Sequence, residues 1–313
     1  MADEPRVAPP AAIPPVGEAR PAGMDHALYP FRTLAEGPRI AWPQGGRIAF
    51  SVTLMLEARQ TVPPPGASRD PRIVSPLGNF SPDWLTWSQH EYGNRVGIFR
   101  VLDVLDRFGV VPNVALGAAA AGRYPELVDE CARRGATFLA HGTWATERIT
   151  SRMTLAEERA HIAASRDAVA RATGRAPAGW CGQDFNESVD TPGLLAEAGF
   201  YYTIDWSNDD RPYLFAPGGL LSLPAQSEWN DLECMWLRRV APQDWAASIA
   251  EGFAVLHEEG GAVFHLALHP WICGQAHRIR YLSDALARVL GRGQVWRAGL
   301  DAVAQAARNK LRA

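Results

Sequence analysis

Apolar residues recur at two periods along this chain, and the two periods alternate. Ile48, Phe50, Val52, Leu54 and Leu56 interleave with Ala49, Ser51, Thr53, Met55 and Glu57, a period of two that predicts a strand. Arg95 to Phe108 sets Val96, Phe99, Val101, Leu102 and Leu105 at helical spacings, and after Gly109 the run Val114-Ala-Leu116 predicts a second strand. A helix over 127–134 leads into a strand over 137–141, and Thr154-Leu-Ala-Glu157 is a capping box opening a helix that ends near Gly174. Further on, the pattern predicts strands around Trp180 and at 201–206, 220–225, 262–269 and 295–297. Helices at 191–198, 242–258 and 278–290 and a last one at the C-terminus separate them. This is α/β alternation around a mainly parallel sheet, and seven or eight such units fit one (β/α) barrel.

Two stretches break the rhythm. Residues 1–23 hold six of the 24 prolines among Ala, Glu and Arg, without apolar periodicity, and read as a disordered tail. Translation starting at Met24 is an alternative reading of that boundary. Residues 58–89, with Pro63-Pro-Pro65, Pro71, Pro76, Trp84 and Trp87, read as a long insertion forming a lid or rim. Residues 24–313 are then expected to form a single barrel domain carrying that insertion.

In a βα barrel alternate strand residues face inward, and chemistry collects at the C-terminal strand ends. With the bulky aliphatic face of the first strand against the helices, Glu57 points inward at its end. His141 closes the third strand, Asp205 shares the inward parity of the fifth, and His265 and His269 share it in the strand at 262–269. Taken singly, each has an ordinary structural explanation as a cap, a loop residue or a packed core histidine. Four strands ending in ionisable groups on one face make a converging site, with Glu57, His141, Asp205 and His269 as candidate catalytic residues. Three rim loops add amides, carboxylates and Trp. Gln183 and Asp184, Asn208 and Asp209, and Glu228 and Asn230 are candidate contacts for a small, polar, amide-containing substrate, with Trp144 after the third strand. His90 closes the aromatic stretch of the insertion.

Charge and cysteines narrow the class. Thirty-one Lys+Arg against 34 Asp+Glu give a net charge of -3 with no basic run, which speaks against nucleic acid as a partner. The four cysteines form no C-x-x-C pair, and no apolar run is long enough for a membrane span. A cytoplasmic location and no membrane association are expected.

Several stretches carry a family resemblance: Leu54-Met-Leu-Glu57, Glu91-Tyr-Gly-Asn-Arg-Val-Gly97, Ala140-His-Gly142, Ala172 to Trp180, Asp205 to Tyr213, Asn230-Asp231, Leu268-His269 and Gly274 to Arg278. In this order and spacing the chain resembles the polysaccharide deacetylase superfamily, and within it the allantoinase-like and cyclic-imide-hydrolase-like proteins. The resemblance implies a distorted (β/α) barrel, hydrolysis of a non-peptide carbon–nitrogen bond and a possible homo-oligomer. It also implies a divalent metal on an Asp and an H-x-x-x-H pair. Here His141 fills the first His position, Ala145 stands at the second, and Glu57 is the nearest carboxylate. No cofactor is therefore expected, with zinc on Glu57, His141 and His265 or His269 as the alternative.

The leading expectation is ring opening of a cyclic ureide, hydantoin or imide, with Glu57 or Asp205 as base and His269 as acid. A metal-dependent N-deacetylase of an acetylated sugar or amine is the alternative, and an inactive ligand-binding barrel the third.

Overall fold

Strand β1 (Ile48–Leu56) is buried on both faces, and the two faces meet different partners. Ile48, Phe50, Val52, Leu54 and Leu56 pack into a cluster shared with helix residues such as Val101, Leu105, Leu282 and Leu286. Ala49 and Met55 face a second cluster with Ala115, Leu139, Tyr202, Val263 and Ala267, the inside of the sheet. The parity read from the sequence therefore holds. The computed structural model describes residues 28–64, 81–216 and 218–311; the tail at 1–23 and residues 65–80 of the insertion lie outside them.

Eight strands follow the order β6-β7-β5-β4-β3-β2-β1-β8. They are β2 (Asn113–Leu116), β3 (Thr137–Ala140), β4 (Gly179–Trp180), β5 (Tyr202–Thr203), β6 (Tyr213–Leu214), β7 (Leu221–Ser222) and β8 (Val263–Leu268), with β1. Every pair is parallel except β6 with β7. A ninth strand, β9 (Val295–Arg297), pairs with Ile48 to Phe50 at the start of β1, while β2 pairs with Thr53 to Leu56. The helices are α1 (Trp84–Tyr92), α2 (Ile98–Arg107), α3 (Ala118–Arg123), α4 (Pro125–Arg133), α5 (Leu155–Thr173), α6 (Thr191–Glu197), α7 (Pro242–Glu259), α8 (Pro270–Cys273), α9 (Ile279–Leu290) and α10 (Leu300–Leu311). The result is the distorted (β/α) barrel expected. None of these helices is long and apolar enough to cross a membrane.

The two ends of the strand order, β8 and the β6–β7 pair, share no backbone ladder among the described residues. Exposed edge groups of a central strand are costly to leave unmade. A side chain fills the seam: Gln226 Nε2 donates to the Val263 carbonyl at 3.0 Å and its Oε1 accepts the His265 N–H at 2.7 Å. The Val263 N–H donates to the Asp210 carbonyl at 3.0 Å.

Part of the insertion is helical. Asp83 accepts the Thr86 N–H as an N-cap, and residues 84–92 are helical, running through a π-turn at Gly93–Gly97 into α2. The two glycines are what lets this run lie against α8. A Cβ on Gly93 would stand 2.6 Å from the Trp271 nitrogen, and one on Gly97 2.0 Å from the Pro270 carbonyl oxygen. The capping box at Thr154 and Glu157 forms as read, and Gly174 ends α5 in the left-handed region.

Candidate active site

Glu57, His141 and His269 are each the first residue beyond a strand, after β1, β3 and β8. They line one cavity of about 350 Å³ together with Asp184, Asn230 and Arg148. His269 is buried, and its ring is fixed from behind. Nδ1 lies 2.8 Å from Asp231 Oδ1, and the His269 backbone N–H donates to both oxygens of the same carboxylate at 3.0 and 2.9 Å. With Nδ1–H committed to Asp231, Nε2 is the nitrogen left for a ligand of the cavity. Burial pulls the imidazole toward the neutral form. The charge and hydrogen bond of Asp231, then Glu57 and Asp184, outweigh it and raise the His269 pKa above its ordinary value.

His141 is committed on both sides. Its Nδ1 is 2.7 Å from the Cys181 carbonyl and its Nε2 is 3.2 Å from Glu57 Oε1. Both partners accept, so the ring serves both only with a proton on each nitrogen. Burial alone would raise the Glu57 carboxyl. The hydrogen bond and charge of His141, with His269 and His90 behind, overcome that and hold Glu57 well below the usual carboxylate range. The π-turn fixes the backbone here, since Asn94 Nδ2 donates to the Glu57 carbonyl at 2.9 Å.

Asp205 is placed beneath the cavity floor. Its Oδ1 accepts the Gly182 N–H at 2.8 Å and its Oδ2 the Thr203 hydroxyl at 3.0 Å. Burial raises its pKa, and burial with the Asp205 charge drives that of the neighbouring Glu187 well above the ordinary range. His265 is a core histidine: Nε2 meets the Thr53 hydroxyl at 2.7 Å, and burial lowers its pKa to about 4. Gln183 is buried and donates from Nε2 to the His141 carbonyl at 2.7 Å, a positioning contact. Trp144 packs against the outer hydrophobic cluster. Asn208 and Asp209 line a separate cavity with Tyr29 and Arg211, and Glu228 pairs with Arg238 through both oxygens at 2.6 and 3.1 Å. Composition marked these rim residues; it carried no information about direction.

Three contributors have weak sequence signals. Asp231 and Asn94 lie in stretches that carry the family resemblance, without periodicity to show what they face. Arg148 follows the third strand by a loop, and nothing in its spacing singles it out. It is ion-paired with Asp184, and both line the cavity. Asp184 and the next residue, Phe185, hold φ of 51° and 56°, an unusual pair of left-handed non-glycine residues at a cavity wall.

Glu57 and His141 could both serve as metal ligands. A zinc site takes three protein ligands and an open position. Here His265 Nε2 is held by Thr53 and Ala145 offers no donor, while His269 keeps Nε2 open with its Nδ1 held by Asp231, the orientation a ligating histidine usually has. Among the described residues no group of three His, Cys, Asp or Glu side chains is placed to hold a metal. As placed, these donors are not gathered around one point, and no step below runs through a metal.

No protein-family model and no curated protein matches the chain. Solved structures do. A protein described as a probable polysaccharide deacetylase from Pseudomonas aeruginosa PAO1 superposes with a TM-score of 0.77 at 26% identity, over 88% of this chain and 97% of its own. The Puue allantoinase superposes with a TM-score of 0.75 at 24% identity, over 88% of this chain and 96% of its own. A Mycobacterium smegmatis structure, also described as a polysaccharide deacetylase, gives 0.76 at 24% identity, over 88% and 94%. Motifs, barrel and neighbours agree: the chain has the fold of the polysaccharide deacetylase superfamily, with an allantoinase among its near structural relatives.

Proposed function

We propose that the chain hydrolyses a non-peptide carbon–nitrogen bond, opening the ring of a cyclic ureide, hydantoin or imide. The observation that carries this reading is the Asp231–His269 pair, aimed into a cavity that Glu57 and Asn230 also line. Structural relatives described as a deacetylase and an allantoinase support the reaction class.

His269 Nε2 takes a proton from water as the water oxygen attacks a ring carbonyl carbon. The resulting imidazolium then protonates the leaving nitrogen as the carbon–nitrogen bond breaks. Asp231 holds the tautomer and stabilises the imidazolium, the role an orienting carboxylate plays in a catalytic triad. Glu57, ionised by its partnership with His141, adds negative charge beside that imidazolium; its depressed pKa makes it a poor proton acceptor. The base role expected of Glu57 or Asp205 thus passes in this proposal to His269, because the lowered pKa of Glu57 makes it a weak base and Asp205 is spent on Gly182 and Thr203. Asn230 Oδ1 is committed to the Leu232 N–H at 2.8 Å, which leaves its Nδ2 as the donor for the carbonyl oxygen.

The test is a panel of allantoin, hydantoin, succinimide and acetylated amino sugars on protein whose metal content has been quantified. Turnover of a cyclic amide that His269→Ala reduces by about 10²- to 10⁴-fold, with the fold intact by circular dichroism, is the expected result. Turnover of acetylated sugars that tracks bound zinc would overturn it.

A further inference from the structure

The cavity has two kinds of wall. Glu57, His141, Asn230 and His269 offer polar atoms for the proposed chemistry, while Phe185, Leu232 and Leu237 line the same space with carbon. No step of that chemistry uses the apolar residues, yet one of them has no packing role and another is held at a conformational cost. Leu237 is 37% exposed and joins neither core cluster. A single exposed leucine is ordinary on a surface, but this one lines the cavity that holds His269. Phe185 is half-buried, packs against the inner cluster and also lines the cavity. Its φ is 56°, directly after Asp184 at 51°. Glycine or asparagine would make such a turn with less strain, so a phenylalanine kept there argues that its ring is needed at the wall.

Both kinds of wall come from the same two rigid elements. In the turn after β4 the Gly182 N–H donates to Asp205, the Phe185 N–H to the Gly182 carbonyl at 3.0 Å and the Asn186 N–H to the Gln183 carbonyl at 3.2 Å. The ion pair of Arg148 with Asp184 braces this turn. The second element is the π-helical segment Leu232–Leu237, which is tied to Asn230. The Leu232 N–H donates to Asn230 Oδ1 at 2.8 Å and the Cys234 N–H to the Asn230 carbonyl at 2.9 Å. The Arg238 N–H closes the segment on the Glu233 carbonyl at 2.9 Å. The amide proposed to hold the substrate carbonyl is therefore fixed relative to the apolar wall. A cavity of about 350 Å³ also has room for more than a bare five-membered ring.

We infer that Phe185, Leu232 and Leu237 form a subsite for an apolar substituent of the substrate, with Phe185 and Leu237 as specificity-determining residues. This rests on the proposed function and narrows it: the substrate class is a hydantoin or imide whose ring carbon carries an alkyl or aryl group. Such a group gains by leaving water for these three side chains. The ureido group of allantoin gives up water against them without a hydrogen bond in return, so allantoin is disfavoured.

The experiment is a substituent series. Hydantoin, its 5-methyl, 5-ethyl and 5-isobutyl derivatives and allantoin are compared by kcat/KM on the native protein, Leu237→Asn, Phe185→Ser and Phe185→Leu. Calorimetry on His269→Ala protein, with and without Leu237→Asn, measures binding of the same compounds. Each added carbon should raise kcat/KM about two- to fourfold until the cavity is full, and allantoin should fall at least about tenfold below the isobutyl compound. Leu237→Asn and Phe185→Ser should each cut the preference for isobutylhydantoin over hydantoin at least about fivefold, and Phe185→Leu should retain most of it. Leu237 is exposed, so its variant tests the subsite even where Phe185→Ser does not fold. A preference for allantoin over the isobutyl compound, or an alkyl preference that no variant reduces, overturns the subsite and leaves the hydrolase reading standing. Binding of the alkyl series that weakens in Leu237→Asn, without turnover by the native protein, keeps the subsite and overturns the hydrolase reading. Neither binding nor turnover of any of these rings overturns both.

Discussion

Replacing Asp231 by Asn tests the part of the site on which the proposed chemistry depends. Asp231 is fully buried and accepts three hydrogen bonds from a single residue, two at the His269 backbone nitrogen and one at Nδ1, all between 2.8 and 3.0 Å. Asn keeps one acceptor oxygen. Its amide nitrogen then faces the His269 N–H where an oxygen stood, so one charge-assisted bond is replaced by a donor–donor contact. Losing such a bond costs about 2 kcal/mol of stability. The kinetic effect is larger. Without the carboxylate the imidazolium loses its stabiliser and the ring its tautomeric lock; an equivalent change in a serine-protease triad lowers kcat by about 10⁴. A loss of about 10²- to 10⁴-fold is expected here, or roughly 3 to 5 kcal/mol of barrier. The pH profile supplies the decisive sign. Asp231 raises the His269 pKa, so neutral His269, the proposed base, predominates only above a pKa that is itself above 6.5. The acid limb of kcat/KM in the native protein reports that pKa, and in Asp231→Asn it should move to lower pH while the plateau falls. A limb that stays in place, or a variant with native activity, would refute the assignment of His269 as the titrating base.

Two further outcomes concern the scaffold. His265 titrates near 4 when folded and about 6.5 when unfolded, so the unfolded chain binds the extra proton between those values. Its neutral burial contributes stability above pH 6.5 that is lost as pH falls toward 4, about 3 kcal/mol in all. In urea unfolding at pH 7 and pH 4, His265→Gln should lose about that much less on acidification than the native protein; equal losses would dismiss His265 as an acid-sensitive group. Gln226→Ala removes the acceptor of the His265 N–H and the donor to the Val263 carbonyl. A cost of about 2 to 5 kcal/mol is expected in chemical denaturation, with faster amide exchange at His265, and protection equal to the native protein would mean that water replaces the side chain.

Strand parity was legible in the sequence where strands are long, in β1 and β8 above all. β1 alternates over nine residues, and its ends predict Glu57 inward; the same reasoning applies to His141 and His269. It failed where order is local or tertiary. α1 buries only Thr86, so no apolar stripe marks it, and its helical state comes from the Asp83 cap and from docking on α8 through Gly93 and Gly97. β6 is two residues long and has no period to read. Asp205 has the inward parity expected of it, yet the turn at Gly182 folds over it and takes its oxygen, a contact between two loops 23 residues apart. Asp231 and Arg148 gain their roles from what stands opposite them, His269 and Asp184, which no spacing within either loop encodes.

The seam between β8 and the β6–β7 pair has a consequence for descent. A ladder of main-chain bonds joins two strands whatever residues occupy them, so its continuity survives almost any codon change. Here one main-chain bond, from the Val263 N–H to the Asp210 carbonyl, crosses the join, and the terminal amide of Gln226 supplies two more. Glu at that position has no donor for the Val263 carbonyl, and Leu has neither donor nor acceptor. Much of the closure of this barrel is thus heritable at one codon, and lineages that alter it keep the Val263–Asp210 bond alone unless another loop supplies the two that are lost.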